Sequence, residues 1–150
     1  MKQVILKQVA CQLSSAVDAV SRMNCLERLG KGIDRPQSRF VEKLLANVLI
    51  HDKNPVVRHE AAFTLGELYT KGDIRGTGSI DALCRGALHD HAIVVRHEAV
   101  ETLGYYPFLQ AMRTLKKCMR DPNVEVVATA KISLVRHLAR QKPNHRDRRP

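Results

Sequence analysis

The chain is 150 residues long, 44% hydrophobic and 27% charged, which suits one domain with a core of its own. Only 4% of the residues are aromatic and Trp is absent, so the core is predicted to be aliphatic and helical rather than a sandwich of short strands. The formal net charge is +10, and no stretch approaches the roughly 20 apolar residues of a membrane span, so we expect no membrane partner.

Residues 1–32 are predicted to form a degenerate first repeat. Its N-terminal apolar run is broken by Lys7 and Gln8 before the core of a signal peptide can form. The cysteines lie among apolar residues and none belongs to a C-x-x-C pair: Cys11, Cys25, Cys84 and Cys118. They are interpreted as reduced core thiols, which predicts a cytoplasmic protein.

Residues 36–70 are predicted to form a helical hairpin. Its first helix carries an apolar stripe at helical spacing, made of Phe40, Val41, Leu44, Leu45 and Val48. In the turn "HDKNP", Asp52 is a candidate N-cap and Pro55 suits the first position of a helix. The second helix reads "VVRHEAAFTLGEL" and contains the pair His59 and Glu60.

Residues 77–106 repeat this pattern after the loop "YTKGDIRGTGSI", which contains three glycines and is predicted to be flexible. The first helix has its stripe at Ile80, Leu83, Cys84 and Leu88. The second helix reads "VVRHEAVETLGYY", so the pair His97 and Glu98 lies 38 residues after the first pair. A period of this length is typical of helical repeats, in which each hairpin buries its apolar stripe only with its neighbours.

Residues 107–139 are predicted to form a terminal repeat. Its first helix has an apolar stripe at Leu109, Met112, Leu115 and Met119. The segment "PNVEVVATAKISLVRHL" matches the second helix, with Val126 and Val127 in the His-Glu positions. Residues 140–150 follow as a basic tail that is predicted to be disordered.

The phrase Val-Arg-x-x-Ala-x-x-x-Leu-Gly, at Val57–Gly66 and again at Val95–Gly104, resembles the HEAT-like repeats typified by the phycobilin lyases. The resemblance implies an all-α fold, a short right-handed α-solenoid of about four helical hairpins in a single domain over residues 1–139. It implies little about function, because one fold carries many unrelated activities. Arg58 and Arg96 of the phrase are expected to pair with turn carboxylates.

The two histidines are predicted to project from neighbouring helices. Val57, Ala61, Leu65 and Leu68 share a narrow core stripe on a helical wheel, and His59 lies nearly opposite it. The second helices of adjacent hairpins should stack about 8–10 Å apart, close enough for two imidazoles to meet at one ion. Two histidines and a carboxylate are the ligands of a non-haem Fe(II) site. Because adjacent residues diverge by about 100°, a carboxylate other than Glu60 is expected to join His59.

The paired "RHEA…LG" copies followed by "DPNVEVVATAKISLVRHL" also resemble one half of the deoxyhypusine hydroxylase family. In that family two similar halves carry four His-Glu pairs, which hold a di-iron centre that activates O₂ and acts on a lysine-derived amine of a translation factor. The resemblance implies that His59, Glu60, His97 and Glu98 are ligands for Fe²⁺ and that a protein is the substrate. This chain matches one half only, so a twofold homodimer is predicted to restore four pairs.

Two other functions compete with this one. The chain would be a metal-free scaffold for a protein partner if the His-Glu pairs were copied by duplication and kept because glutamate near a helix N-terminus is stabilising. Nucleic acid is the third and least favoured partner, since phosphate contacts need only Lys and Arg but stacking aromatic residues are few. Glu67 and Glu101 are expected near the site, where they would suit a cationic amine, and no catalytic residue is assigned.

Overall fold

The computed structural model describes residues 9, 12–13, 15–16, 18–31, 33 and 35–141. These residues form seven bounded α-helices and a short 3-10 helix at Arg35–Gln37, with no strand among them. The helices are α1 Ala19–Gly30, α2 Ser38–His51, α3 Pro55–Thr70, α4 Ile80–His89, α5 Ile93–Leu103, α6 Leu109–Cys118 and α7 Val124–Arg140. The predicted all-α fold is confirmed. The predicted basic tail lies outside the described residues from position 142 onward.

The helices form two layers. Helices α2, α4 and α6 pack side by side in one layer, and α1, α3, α5 and α7 do so in the other. The pairs α2–α3, α4–α5 and α6–α7 are hairpins that cross from one layer to the other. Each second-layer helix therefore contacts its counterparts in the adjacent repeats, as the sequence predicted for α3 and α5. In the described part of the chain, no helix is both long and apolar enough to span a membrane.

Asparagine side chains begin two of the second-layer helices. Asn54 accepts a hydrogen bond from the backbone N–H of Val56 at 2.8 Å, and Asn123 accepts one from Glu125 at 2.9 Å. Pro55 takes the first position of α3, as predicted. The assignment of Asp52 as the N-cap was wrong, because Asp52 ends α2 and its carboxylate is bound to Arg22 of the preceding repeat.

Three bidentate ion pairs join consecutive repeats. Arginine Nε and Nη2 donate to the two carboxylate oxygens of an aspartate in the next turn, in the pairs Arg22–Asp52, Arg58–Asp90 and Arg96–Asp121. All six side chains are 14% exposed or less. We call these pairs the Arg–Asp ladder. The predicted pairing of Arg58 and Arg96 with turn carboxylates is confirmed.

The core follows the predicted stripe of α3 more closely than those of the first-layer helices. Val57, Ala61, Leu65 and Leu68 are completely buried. Phe40, Leu109 and Met119 were predicted to lie in core stripes and are instead exposed. In α6 the buried face is made by Ala111, Thr114, Leu115 and Cys118. Ala111 and Cys118 of this face are small, and Leu109 and Met119 lie beside it.

The terminal repeat is shifted by two residues from the predicted register. Val126 is buried three residues after the N-cap Asn123, as Val57 is after Asn54. Ala128 and Thr129 therefore occupy the positions of His59 and Glu60. The placement of Val126 and Val127 there was wrong, because a buried valine, and not the hydrophobic pair as such, fixes the register.

The loop between α3 and α4 is anchored to the core. The carboxylate of Glu42, itself buried, accepts hydrogen bonds from Gly78 N–H at 2.9 Å and from the Ser79 hydroxyl at 2.8 Å. The Ser79 hydroxyl also pairs with the Tyr106 hydroxyl at 3.0 Å. This loop was predicted to be flexible; the buried carboxylate and tyrosine instead hold its C-terminal end in place.

Three of the four cysteines are described, and all three are buried and unpaired: Cys25, Cys84 and Cys118. Burial raises the pKa of the Cys118 thiol to about 12, so this thiol stays protonated near neutral pH. The prediction of reduced core thiols holds for these residues. Cys11 lies outside the described residues.

Candidate metal centre

Helices α3 and α5 approach each other closely at two small residues. The Thr102 hydroxyl donates a hydrogen bond to the Ala62 carbonyl at 3.0 Å, across the two helices. A Cβ atom at Gly66 would lie 2.8 Å from that hydroxyl oxygen, so the close approach requires glycine at this position. The contact fixes the relative position of the second turns of α3 and α5, which carry the two His-Glu pairs.

The histidine of the first pair contacts the glutamate of the second. His59 Nε2 lies 3.3 Å from Glu98 Oε2, and the two side chains are 34% and 12% exposed. The sequence placed both residues at the α3–α5 boundary and required a carboxylate other than Glu60 near His59. The structure supplies Glu98 in that place.

A second group lies on α5 alone. One ligand atom from each of His97, Glu98 and Glu101 can be chosen so that all three lie within 4.8 Å of one another. Adjacent residues were expected to diverge too far to share an ion, but a ligand atom of His97 and one of Glu98 lie within 4.8 Å of each other. Glu98 therefore belongs to both groups.

Glu101 was not predicted as a ligand, although it was expected near the site. The sequence signal was its spacing: it lies four residues after His97 and three after Glu98, on the same face of α5. The first repeat has Phe63 at the equivalent position. The repeat therefore predicts the two identical pairs but not Glu101, which only the second copy has.

Glu60, the fourth predicted ligand, is not part of the three-residue group that the described residues form. It is half-buried on α3. Burial raises the pKa of its carboxyl, and the negative charges of Glu67 and Glu98 raise it further, against the opposing effect of His59. The site therefore gathers several carboxylates whose mutual repulsion a cation would relieve.

A cleft of 170 Å³ opens beside these residues. Its walls include two aromatic rings and three carboxylates, and its lining residues are Phe63, Gly66, Glu67, Thr70, Glu98, Glu101, Thr102 and Tyr105. Arg136 of α7 contacts two of these residues, with its guanidinium 4.4 Å from the centre of the Tyr105 ring and 3.9 Å from Glu101 Oε1. Glu67 and Glu101 thus lie near the site, where the sequence predicted them.

We expect Glu98→Gln to lower the pKa of His59. The contact with Glu98 raises this pKa above its ordinary value of 6.5, while partial burial of the ring opposes the rise. The contact therefore stabilises the fold fully below the ordinary pKa, and this contribution is lost as the pH rises through the raised value. Titration of the imidazole resonances by NMR, in protein treated with a chelator, measures the change.

The matched control for this titration is Glu125→Gln, which removes an exposed carboxylate from the start of α7. It should leave the His59 pKa where it is in the unmodified protein. An unaltered His59 pKa in Glu98→Gln would mean that the two side chains do not pair in solution.

Comparison with known proteins identifies the fold. The family model for HEAT repeats matches residues 8–104. The structure of human deoxyhypusine hydroxylase in complex with glycerol is similar to this chain, with a TM-score of 0.72 at 19% sequence identity. The alignment covers 89% of this chain and 43% of that one, so the chain spans less than half the length of this neighbour. No curated protein matches the sequence.

Proposed function

The chain belongs to the HEAT repeat family, and from that premise we propose that it is an iron-binding protein of the deoxyhypusine hydroxylase type. The observation that carries the proposal is the convergence of donors from two repeats, with His59 of α3 3.3 Å from Glu98 of α5. His97 and Glu101 add an imidazole and a carboxylate next to Glu98. The likeness to the hydroxylase supports the fold that presents these residues.

The residues present fit ferrous iron. His59, His97, Glu98 and Glu101 would hold it, and two histidines with carboxylates are a donor set that suits Fe(II). The bound iron would supply the redox chemistry with O₂ that protein side chains lack. Histidine binds a metal in its neutral form, so His59 must give up its proton, which Glu98 helps it to retain.

The chain's own residues would position an amine beside this site. Glu67, which is not among the proposed ligands, brings negative charge to the cleft, and Phe63 and Tyr105 provide apolar walls. A cleft of this kind suits an extended cationic side chain, with the charge held by Glu67 and the methylene groups against the rings. We therefore propose a protein substrate that carries a flexible amine.

A second copy of the chain would complete the proposed enzyme. The chain covers 43% of the hydroxylase, and a twofold arrangement would double its two His-Glu pairs. Glu60, which stands outside the group of His97, Glu98 and Glu101, would then be available to a metal held mainly by the other copy.

Metal analysis tests the proposal. We expect protein loaded with Fe²⁺ without oxygen, and then desalted, to retain iron when measured by plasma mass spectrometry. The double variant His59→Ala, His97→Ala should lose at least about 90% of that iron, because removing two ligands costs far more than the 10- to 100-fold affinity loss of an outer-shell change. The matched control is His89→Ala, His91→Ala, which removes two exposed histidines of the α4–α5 turn.

A metal-free scaffold is the second candidate. The contact of His59 with Glu98 supports it, because an ion pair gives both side chains a partner without any metal. Equal iron content in the two double variants, or none in the unmodified protein, would overturn the iron proposal and leave the scaffold. Circular dichroism of each variant shows that lost iron is not lost structure.

A further inference from the structure

Charge is divided between the two layers of helices. The second-layer helices carry the carboxylates around the candidate metal centre and several more: Glu27, Glu60, Glu67, Glu98, Glu101 and Glu125. The first-layer helices contain two carboxylates, of which Glu42 is buried and Asp81 accepts a hydrogen bond from Gln110 at 2.7 Å. The first layer instead presents exposed cations, which we call the basic face: Arg39, Lys43, Arg85, Arg113, Lys116, Lys117 and Arg120.

The basic face is densest along α6. Its cations there recur at spacings of three and four residues, so they form one stripe: Arg113, Lys116, Lys117 and, just after the helix, Arg120. The three within the helix lie opposite its buried side, and the stripe extends about 10 Å along the axis. None of the basic-face residues forms an ion pair with a described residue, so their charge is open to solvent.

The basic face continues across the three first-layer helices. Helix α4 packs between α2 and α6, and helices in contact lie about 8–10 Å apart, so the face is about 20 Å wide. Lys43 lies opposite the buried side of α2, and Arg85 lies opposite that of α4. A surface of one sign therefore covers the first layer, on the other side of the molecule from the carboxylates of the metal centre.

We propose that the basic face binds the phosphate backbone of a nucleic-acid duplex. Phosphate contacts need only Lys and Arg, and a duplex carries one charge for about every 1.7 Å, so roughly ten charges lie along a face of this width. A single strand fits less well, because its bases need aromatic rings for stacking and Phe40 is the only aromatic residue of α2, α4 and α6. The scarcity of aromatic residues counts against a strand and not against a duplex.

An acidic protein is the competing partner for this face. Contacts between proteins have an apolar centre and a polar rim. The basic face has the reverse arrangement, since its exposed apolar residues Phe40 and Leu109 lie in the first turns of their helices. Arg85 and Arg113 lie in the middle of α4 and α6. The carboxylates of the second layer would repel a polyanion from the metal centre, so the duplex is directed to the first layer.

The test uses the full chain treated with a chelator, so it does not depend on metal binding. Fluorescence anisotropy with a duplex DNA of about 20 base pairs and mixed sequence measures the dissociation constant, and the same sequence as duplex RNA shows which backbone binds more tightly. Binding to either supports the proposal. For about four phosphate contacts, the logarithm of the DNA association constant should fall against the logarithm of salt concentration with a slope of about −3 to −4.

Neutralising the stripe on α6 should weaken this binding. The triple variant Arg113→Gln, Lys116→Gln, Lys117→Gln should raise the dissociation constant at least about tenfold and reduce the salt slope by about one for each cation removed. The matched control removes the same charge from exposed residues of the second layer: Arg28→Gln, Lys31→Gln, Lys131→Gln. It should stay within about twofold of the unmodified protein, because these side chains are not on the basic face.

Three results would contradict the proposal. They are the absence of duplex binding, an equal loss of affinity in the two triple variants, and full affinity after neutralisation of α6. The last two would mean that net charge or another segment attracts the nucleic acid. Displacement of the duplex by poly-glutamate at an equal concentration of charges would assign the face to an acidic protein instead. Circular dichroism of both variants checks that the fold is intact.

Discussion

Asp90→Ala is expected to destabilise the protein by about 3–5 kcal/mol, the usual cost of removing one partner from a buried ion pair. Arg58 donates to both oxygens of Asp90, at 2.7 and 2.8 Å, and the two side chains are 14% and 9% exposed. Without the carboxylate the guanidinium keeps only its bond to the Asp52 carbonyl and stays out of water. Thermal and urea unfolding, followed by circular dichroism, measure the loss.

A double variant that also removes the charge of Arg58 completes this experiment. Arg58→Met together with Asp90→Ala removes both charges, so the double variant should be more stable than Asp90→Ala alone. Asp81→Ala is the surface control, since its carboxylate bonds only to exposed Gln110, and it should change the stability by no more than about 0.5 kcal/mol. A double variant as unstable as the sum of its two single variants would show that the pair is not coupled.

Gly76→Ala is expected to lower stability by roughly 3 kcal/mol, from backbone strain and overpacking together. Gly76 has φ +79°, in the left-handed region that glycine tolerates. A Cβ there would lie 2.5 Å from Cε1 of Tyr106, which is completely buried, stacked on Tyr69 at 4.3 Å and bonded to Ser79. The ring is held on several sides and has no room to move.

Gly72→Ala separates the two contributions. Gly72 has the same φ of +79° and no atom within 4 Å of its added Cβ, so only the backbone strain of roughly 1 kcal/mol applies. The difference between the two variants, taken from their urea midpoints, therefore measures the clash with Tyr106. Equal destabilisation by both would mean that the aromatic cluster yields to the methyl group.

The repeat architecture was predictable because the same sequence phrase occurs twice in the chain. The phrases at Val57 and Val95 recur with the same apolar spacing, and every core position of the first phrase is buried in the structure. The ladder was predictable in part: Arg58 and Arg96 were expected to pair with turn carboxylates, but Asp52 was assigned as an N-cap and its pairing with Arg22 was not predicted. Local pattern and tertiary contact agree at these positions.

The stripes of the first-layer helices were less predictable. Phe40 and Leu109 have the right spacing and hydrophobicity for the core, yet other residues form the buried faces of their helices, among them Leu45 in α2 and Leu115 in α6. The depth of a side chain depends on how near the neighbouring helix lies, and a single sequence does not give that distance. The two-residue shift of the terminal repeat has a different cause, because the buried Val126 sets its register.

The sequence predicted most residues of the candidate site but not the positions of their side chains relative to one another. Repetition identified His59, Glu98 and their counterparts, and a helical wheel placed them at the boundary between repeats. It could not show that the Glu98 carboxylate lies 3.3 Å from His59 or that Glu101 joins the group on α5. Those outcomes depend on rotamers of long flexible side chains, which only the packed neighbours select.

The Arg–Asp ladder has a consequence for how such a protein can change its length. The segment from one ladder aspartate to the next, Asp52 to Asp90, carries an acceptor for the arginine before it and a donor for the aspartate after it. A gene duplication of this segment would therefore insert a repeat that brings both an aspartate for the preceding arginine and an arginine for the following aspartate. The array can gain or lose whole hairpins while every buried arginine and aspartate keeps a partner. Insertion of half a hairpin would leave one of these buried charges unpaired.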